Sequence, residues 1–112
     1  MVLVNSDAAI FFSSNGMGFG IVIRDHTGSC LAACGEHVKG VTSLEMAEAL
    51  ALRRAVSFVV AEGFSHLIVA TDCLSVIQRV LSSEVDRSAL GAVTEDVKRL
   101  ARSMTTCSFI HV

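Results

Sequence analysis

Three stretches near the start of the chain have the apolar character of β-strands. Residues 2–12 form an apolar run with β-branched and aromatic members. The stretches "FGIVIRD" and "SCLAACGEHV" follow after the turn sequences "SSNGMG" and "DHTG", where Gly28 can take a positive φ. Because two short turns join the three strands, the pattern predicts an antiparallel meander.

After "KGVTS" the spacing of the apolar residues changes from that of strands to that of a helix. Residues 44–61 carry apolar side chains at helical spacing, with Thr42 and Ser43 as candidate N-caps. A fourth strand, "HLIVAT", precedes a helix over 73–82, another helix from about Ser88, and a last strand, "TCSFIHV". The predicted order is β-β-β-α-β-α-α-β, and a strand reached through a helix normally lies parallel to its sheet neighbour.

Composition limits the fold and the kind of partner. The chain has 112 residues, 52% of them hydrophobic and 18% charged, so we expect a single domain over residues 1–112 with a well-filled core. The formal net charge of -2 lacks the basic excess that often marks nucleic-acid binders. Any phosphate contact would therefore depend on local cations, metal ions or backbone N–H groups.

Cysteine usage and targeting patterns favour a reducing compartment. The four cysteines form no C-x-x-C pair and no histidine cluster accompanies them, so we interpret them as reduced, buried side chains and not as zinc ligands. The N-terminus has no basic region, and the longest later apolar stretch, 46–63, contains charged residues. We expect no signal peptide, no membrane span, and a cytosolic or nuclear protein.

Two aspartates lie in or directly after the predicted central strands. Asp7 lies inside the first strand, which becomes central once a later parallel strand pairs beside it. A carboxylate buried there is costly unless it is paired or metal-bound. Asp72 follows the fourth strand, where it is either an N-cap for the next helix or part of a ligand site at the carboxyl end of a parallel strand.

The first predicted helix offers two acidic candidates. At about 100° per residue, Glu48 projects roughly 170° away from Arg53 and Arg54, along the apolar stripe. Glu45 lies toward the edge of that stripe, where a charge at a helix start interacts favourably with the macrodipole. We therefore expect Glu48, and not Glu45, to face the sheet.

Asp7, Glu48 and Asp72 converge if the first and fourth strands are neighbours and the helix packs over them. Clustered carboxylates repel one another unless a divalent cation neutralises them. Oxygen ligands without histidine or cysteine suit Mg²⁺ or Mn²⁺. Two such ions about 4 Å apart suit phosphodiester hydrolysis.

The order of elements and the three acidic positions resemble the ribonuclease H fold. More narrowly, the chain resembles the plant RNase H-like domains that occur alone or beside non-LTR retroelement reverse transcriptases. The matching stretches, in order, are "VNSDAA", "GFGIVIRDHTGSCLAA", "AEALALRRAV", "VATDCLSVIQRVL", "LGAVTEDVKRL" and "SFIHV". The resemblance implies an α/β fold with a five-stranded mixed sheet, antiparallel over the first three strands and parallel for the last two, flanked by helices.

The resemblance also implies an activity, metal ions and a partner. Asp7, Glu48 and Asp72 match the first three members of the family's acidic metal-binding set, which holds two Mg²⁺ or Mn²⁺ ions in the family and as few as one here. The implied activity is metal-dependent cleavage of the RNA strand of an RNA–DNA hybrid, recognised by A-form backbone and 2′-hydroxyls. Candidate nucleic-acid contacts near the site are Ser6, Ala8, Ser13, Asn15, Gly16, Thr42 and Ser43.

The sequence departs from the family pattern at three points. The family's fourth acidic residue belongs to a helix after the last strand, whereas this sequence stops at Val112, so we expect a C-terminally truncated domain without that helix. Ala8 stands where the family prefers glycine, and no Trp or Tyr is present for base stacking. We interpret His111 as a strand residue and not as a catalytic histidine.

These departures leave two alternatives to a working nuclease. One is a catalytically impaired RNase H-fold module, a retroelement remnant that binds nucleic acid or a protein. The other is a gene fragment with no independent role. In each case the apolar sheet surface left by a missing helix predicts self-association.

Overall fold

The structure is a computed structural model that describes residues 1–11, 16–41 and 43–112. Its elements follow the predicted order of strands and helices. They are β1 (Val2–Phe11), β2 (Gly16–Arg24), β3 (Cys30–Lys39), α1 (Leu44–Ala61), β4 (His66–Thr71), α2 (Leu74–Leu81), α3 (Ala89–Arg102) and β5 (Thr106–His111).

The five strands form one mixed sheet in the order β3-β2-β1-β4-β5. The first three strands are antiparallel neighbours, as the two short turns predict. β4 lies parallel to β1 on one side and to β5 on the other. The predicted mixed sheet is confirmed, and β1 is its central strand.

One face of the sheet carries the core. Alternate residues of the central strands are fully buried there, including Val4, Ile21 and Ile23. They pack against the buried stripe of α1, which includes Leu52 and Val56. Burial of each such side chain contributes about 1.5–3 kcal/mol. This core holds α1 over β1, and so it determines which side chains of the two elements meet.

The start of α1 is capped as the sequence predicts. The Ser43 hydroxyl accepts a hydrogen bond from the Met46 N–H at 3.3 Å. The alternative cap, Thr42, lies outside the described residues. A capped first turn stabilises the helix by about 1 kcal/mol and places Glu48 in its second turn, facing the sheet.

The opposite face of the sheet is not part of the core. Buried side chains of the helices form one hydrophobic cluster with strand residues from a single face of the sheet. Ile110 lies on the other face and is 42% exposed. Self-association through this face stays a prediction.

The expectation that all four cysteines are buried is wrong. Cys30 is exposed, and Cys34, Cys73 and Cys107 are half-buried, all four as free thiols. Cys30 lies on β3, an edge strand of the sheet, where fewer elements cover a side chain than at the centre.

Across the described ranges, no helix combines the length and the apolar character needed to cross a membrane.

Candidate metal centre

Asp7 lies where β1 loses one of its two neighbours. Pairing with β2 continues through Asp7 and Gly20, whereas pairing with β4 ends two residues earlier, at Asn5 and Ala70. The residue opposite Asp7 on β2 is a glycine, so no side chain covers the carboxylate from that strand. Asp7 is therefore exposed, so its place in the central strand does not carry the desolvation cost of a buried carboxylate.

Glu48 is the buried member of the site, as the helical periodicity predicts. Its side chain is 5% exposed, and its Oε2 atom has no hydrogen-bond partner. Burial, followed by the negative charges of Asp72 and Asp7, raises the pKa of Glu48 to about 7, and the backbone N–H of Ala8 opposes the shift. Glu45 lies elsewhere, 3.7 Å from the Nε atom of Arg79, and is not part of this group.

Asp72 follows β4 and does not cap the next helix. The N-cap of α2 is Cys73, whose side chain makes no capping hydrogen bond. The N-cap interpretation of Asp72 is therefore wrong. The Asp72 side chain is exposed, and it emerges at the carboxyl end of a parallel strand, where ligand sites of α/β sheets lie.

The three carboxylates converge on one point. One oxygen from each of Asp7, Glu48 and Asp72 lies within 4.8 Å of the other two. The ion pairs found among the described residues do not involve any of them. Oxygens on opposite sides of an octahedral Mg²⁺ are about 4.2 Å apart, so small side-chain movements would bring all three into one coordination shell.

The predicted nucleic-acid contacts near the carboxylates differ in how far they are exposed. Ser6 is 5% exposed, and its hydroxyl lies inside the protein without a hydrogen-bond partner. The half-buried Ala8 donates its N–H to Asp7 Oδ1 at 2.9 Å. Gly16 is buried, and a side chain there would meet the Val38 carbonyl at 2.5 Å. Ser43 is exposed at the start of α1.

Two further predicted contacts, Ser13 and Asn15, lie outside the described residues, as Thr42 does. A contact that the sequence did not indicate involves His111. Its Nε2 atom lies 3.0 Å from the backbone carbonyl oxygen of Asp72. His111 is the last residue of β5, which confirms its interpretation as a strand residue.

A hollow of about 710 Å³ lies away from the carboxylates, between α2, the segment after it and α3. The Arg79 guanidinium in its wall pairs with both Glu45 and Asp86. Four carboxylates and three cationic side chains line the hollow, so it presents no net positive charge to attract phosphate. The carboxylate cluster lies where β4 ends beside the central strand β1, and two of its members are exposed, so it is the better candidate for chemistry on an extended polymer.

Comparison with protein families decides the affiliation of the chain. The model of the reverse transcriptase-like family matches residues 5–112. The chain belongs to the reverse transcriptase-like family. No curated protein matches this member of the family. The narrower assignment to the plant or retroelement-associated domains stays a prediction.

Solved ribonucleases H share the fold of this reverse transcriptase-like domain. RNase H1 from the halophilic archaeon Halobacterium salinarum NRC-1 superposes with a TM-score of 0.88 at 20% identity, over 99% of this chain and 84% of that chain. The N-terminal RNase H domain of rv2228c from Mycobacterium tuberculosis gives 0.86 at 18% identity, over 99% and 81%. LC11-RNase H1 from compost, solved in complex with an RNA/DNA hybrid, gives 0.84 at 19% identity, over 100% and 85%. The predicted RNase H-like fold is confirmed.

Proposed function

We propose that this domain binds RNA–DNA hybrids and hydrolyses their RNA strand with divalent metal ions held by Asp7, Glu48 and Asp72. The observation that carries the proposal is the environment of Glu48. Its buried Oε2 atom has no hydrogen-bond partner and belongs to a group of three carboxylates within 4.8 Å. A buried, unpartnered carboxylate beside two like charges is unfavourable unless a cation joins the group.

The residues present fit a hard divalent cation. All three donors are carboxylates, and oxygen ligands of this kind suit Mg²⁺ or Mn²⁺. A bound cation would supply an activated water and stabilise the leaving oxygen of the phosphodiester. Glu48 is fixed by burial in α1, whereas Asp7 and Asp72 are exposed and can adjust to a substrate.

The fold supports the proposed substrate, and the net charge indicates how that substrate would be bound. One protein with this fold, LC11-RNase H1, was solved with an RNA/DNA hybrid. The chain has a formal net charge of -2, so attraction of a polyanion has to come mainly from metal ions at the carboxylates and not from a general positive field. The proposed activity therefore depends on the cation for binding as well as for hydrolysis.

The test is cleavage of an end-labelled RNA–DNA hybrid. With Mg²⁺ or Mn²⁺ we expect cuts in the RNA strand of the hybrid, and none in RNA–RNA or DNA–DNA duplexes of the same sequence. Addition of EDTA in excess of the metal is expected to stop the reaction. A folded protein that leaves the hybrid intact at every metal concentration would contradict hydrolysis. Hybrid binding without cleavage would then favour the alternative of a catalytically impaired binding module.

A further inference from the structure

We propose that His111 is a positioning residue that orients Asp72 in the metal site, an inference that rests on the proposed function. The His111 Nε2 atom lies 3.0 Å from the Asp72 carbonyl oxygen. A carbonyl oxygen only accepts hydrogen bonds, so the proton of the imidazole is on Nε2 in this contact. His111 thus binds the backbone of the residue whose side chain belongs to the carboxylate group.

The backbone on either side of Asp72 is held by other hydrogen bonds. The Val112 N–H donates to the Thr71 carbonyl at 3.1 Å, and the Cys73 N–H donates to Thr71 Oγ1 at 3.3 Å. His111 contacts the carbonyl oxygen of the peptide that joins Asp72 to Cys73. Because the two peptide groups that meet at the Asp72 Cα set the direction of its Cα–Cβ bond, a hydrogen bond that holds the carbonyl of one of them restrains where the carboxylate points.

The sheet brings His111 to this place from a distant part of the sequence. β5 pairs with β4 in parallel register, with His111 opposite Thr71. The imidazole at the end of β5 therefore reaches the first residue after β4. Groups that hold metal ligands in this indirect way typically change metal affinity or activity by about 10–100-fold when they are removed.

The same two strands contain a matched control at their other end. His66 of β4 lies opposite Thr106 of β5, and its Nδ1 atom is 3.0 Å from Thr106 Oγ1. Both histidines are exposed and each makes one hydrogen bond, His66 to a residue of β5 and His111 from β5 to the residue that follows β4. His66→Phe therefore removes a comparable strand contact without touching the Asp72 backbone.

The experiment measures Mn²⁺ binding to the metal-free full chain by electron paramagnetic resonance of the free ion. His111→Phe is expected to weaken Mn²⁺ binding by about tenfold, the lower end of the range for such groups. His66→Phe is expected to bind as the parent does. His111→Gln, whose amide N–H can replace the donor, is expected to restore most of the affinity. Melting temperatures of the two Phe variants are expected to fall by similar amounts.

Each failure has a separate meaning. Equal Mn²⁺ affinity in the parent and in His111→Phe would overturn the positioning role while the metal site stands. Equal loss in His66→Phe would assign the effect to loosened strands and also overturn the role. A His111→Gln protein as weak as His111→Phe would contradict the hydrogen-bond explanation. A folded parent that binds no Mn²⁺ would overturn the metal site and the role of His111 with it.

Discussion

Asp7→Asn and Asp72→Asn are each expected to lower the rate of hybrid cleavage by at least about 100-fold. Each change keeps the size of the side chain but removes a charge and a metal ligand from a group of three carboxylates. Metal ions contribute several kcal/mol of transition-state stabilisation in phosphodiester hydrolysis, and each 1.4 kcal/mol is about tenfold in rate. The measurement is initial cleavage rate of the labelled hybrid across a range of Mg²⁺ concentrations.

The fold of these two variants is expected to be intact because both side chains are exposed. Substitutions at such positions usually change the free energy of unfolding by about 0.5 kcal/mol or less. Glu62→Gln, which removes a carboxylate at the exposed end of α1, is the matched control and is expected to cleave like the parent. Cleavage at the parent rate by both Asn variants would contradict the assignment of the site.

Glu48→Gln is expected to stabilise the metal-free protein above pH 7 while it abolishes cleavage. Burial and the two aspartates raise the pKa of Glu48 from 4.5 to about 7 in the folded chain. Between these two pH values the folded state binds more protons than the unfolded state, so the free energy of unfolding falls as the pH rises. Gln does not ionise, and we expect the variant to be more stable by roughly 1–3 kcal/mol at pH 8.

The measurement is urea denaturation of both proteins at pH 4.5, 6 and 8 in EDTA, and again at pH 8 with Mg²⁺. The free energy of unfolding of the parent is expected to fall between pH 4.5 and pH 8, and that of Glu48→Gln is expected to fall less. Added Mg²⁺ is expected to stabilise the parent, because it binds the folded state, and to leave Glu48→Gln nearly unchanged. Parallel pH profiles, or equal stabilisation of both by Mg²⁺, would show that Glu48 is not part of a cation site.

The element order and the sheet could be predicted because they depend on local patterns and simple topology. The apolar run over residues 2–12 and the helical spacing over 44–61 are visible in the sequence, and short turns make the first strands antiparallel. The inward direction of Glu48 follows from the same helical spacing, since a residue's direction on a helix depends only on its position along it.

The environment of each aspartate could not be predicted because it depends on where distant strands stop pairing. Asp7 is exposed because β4 leaves β1 after Asn5, a detail of a contact between residues more than 60 positions apart. Asp72 is not an N-cap because α2 begins at Leu74, which makes Cys73 the N-cap residue. The contact of His111 with Asp72 depends on the register of β5 against β4, which no local pattern reports.

The position of Mn²⁺ in crystals of the parent protein, located by anomalous scattering at the manganese edge, tests the proposed metal centre most directly. We expect an anomalous peak between Asp7, Glu48 and Asp72, with Glu48 Oε2 in contact with the ion, and no such peak in crystals of Glu48→Gln. A parent crystal with the three carboxylates in place and manganese bound only elsewhere on the surface would contradict it.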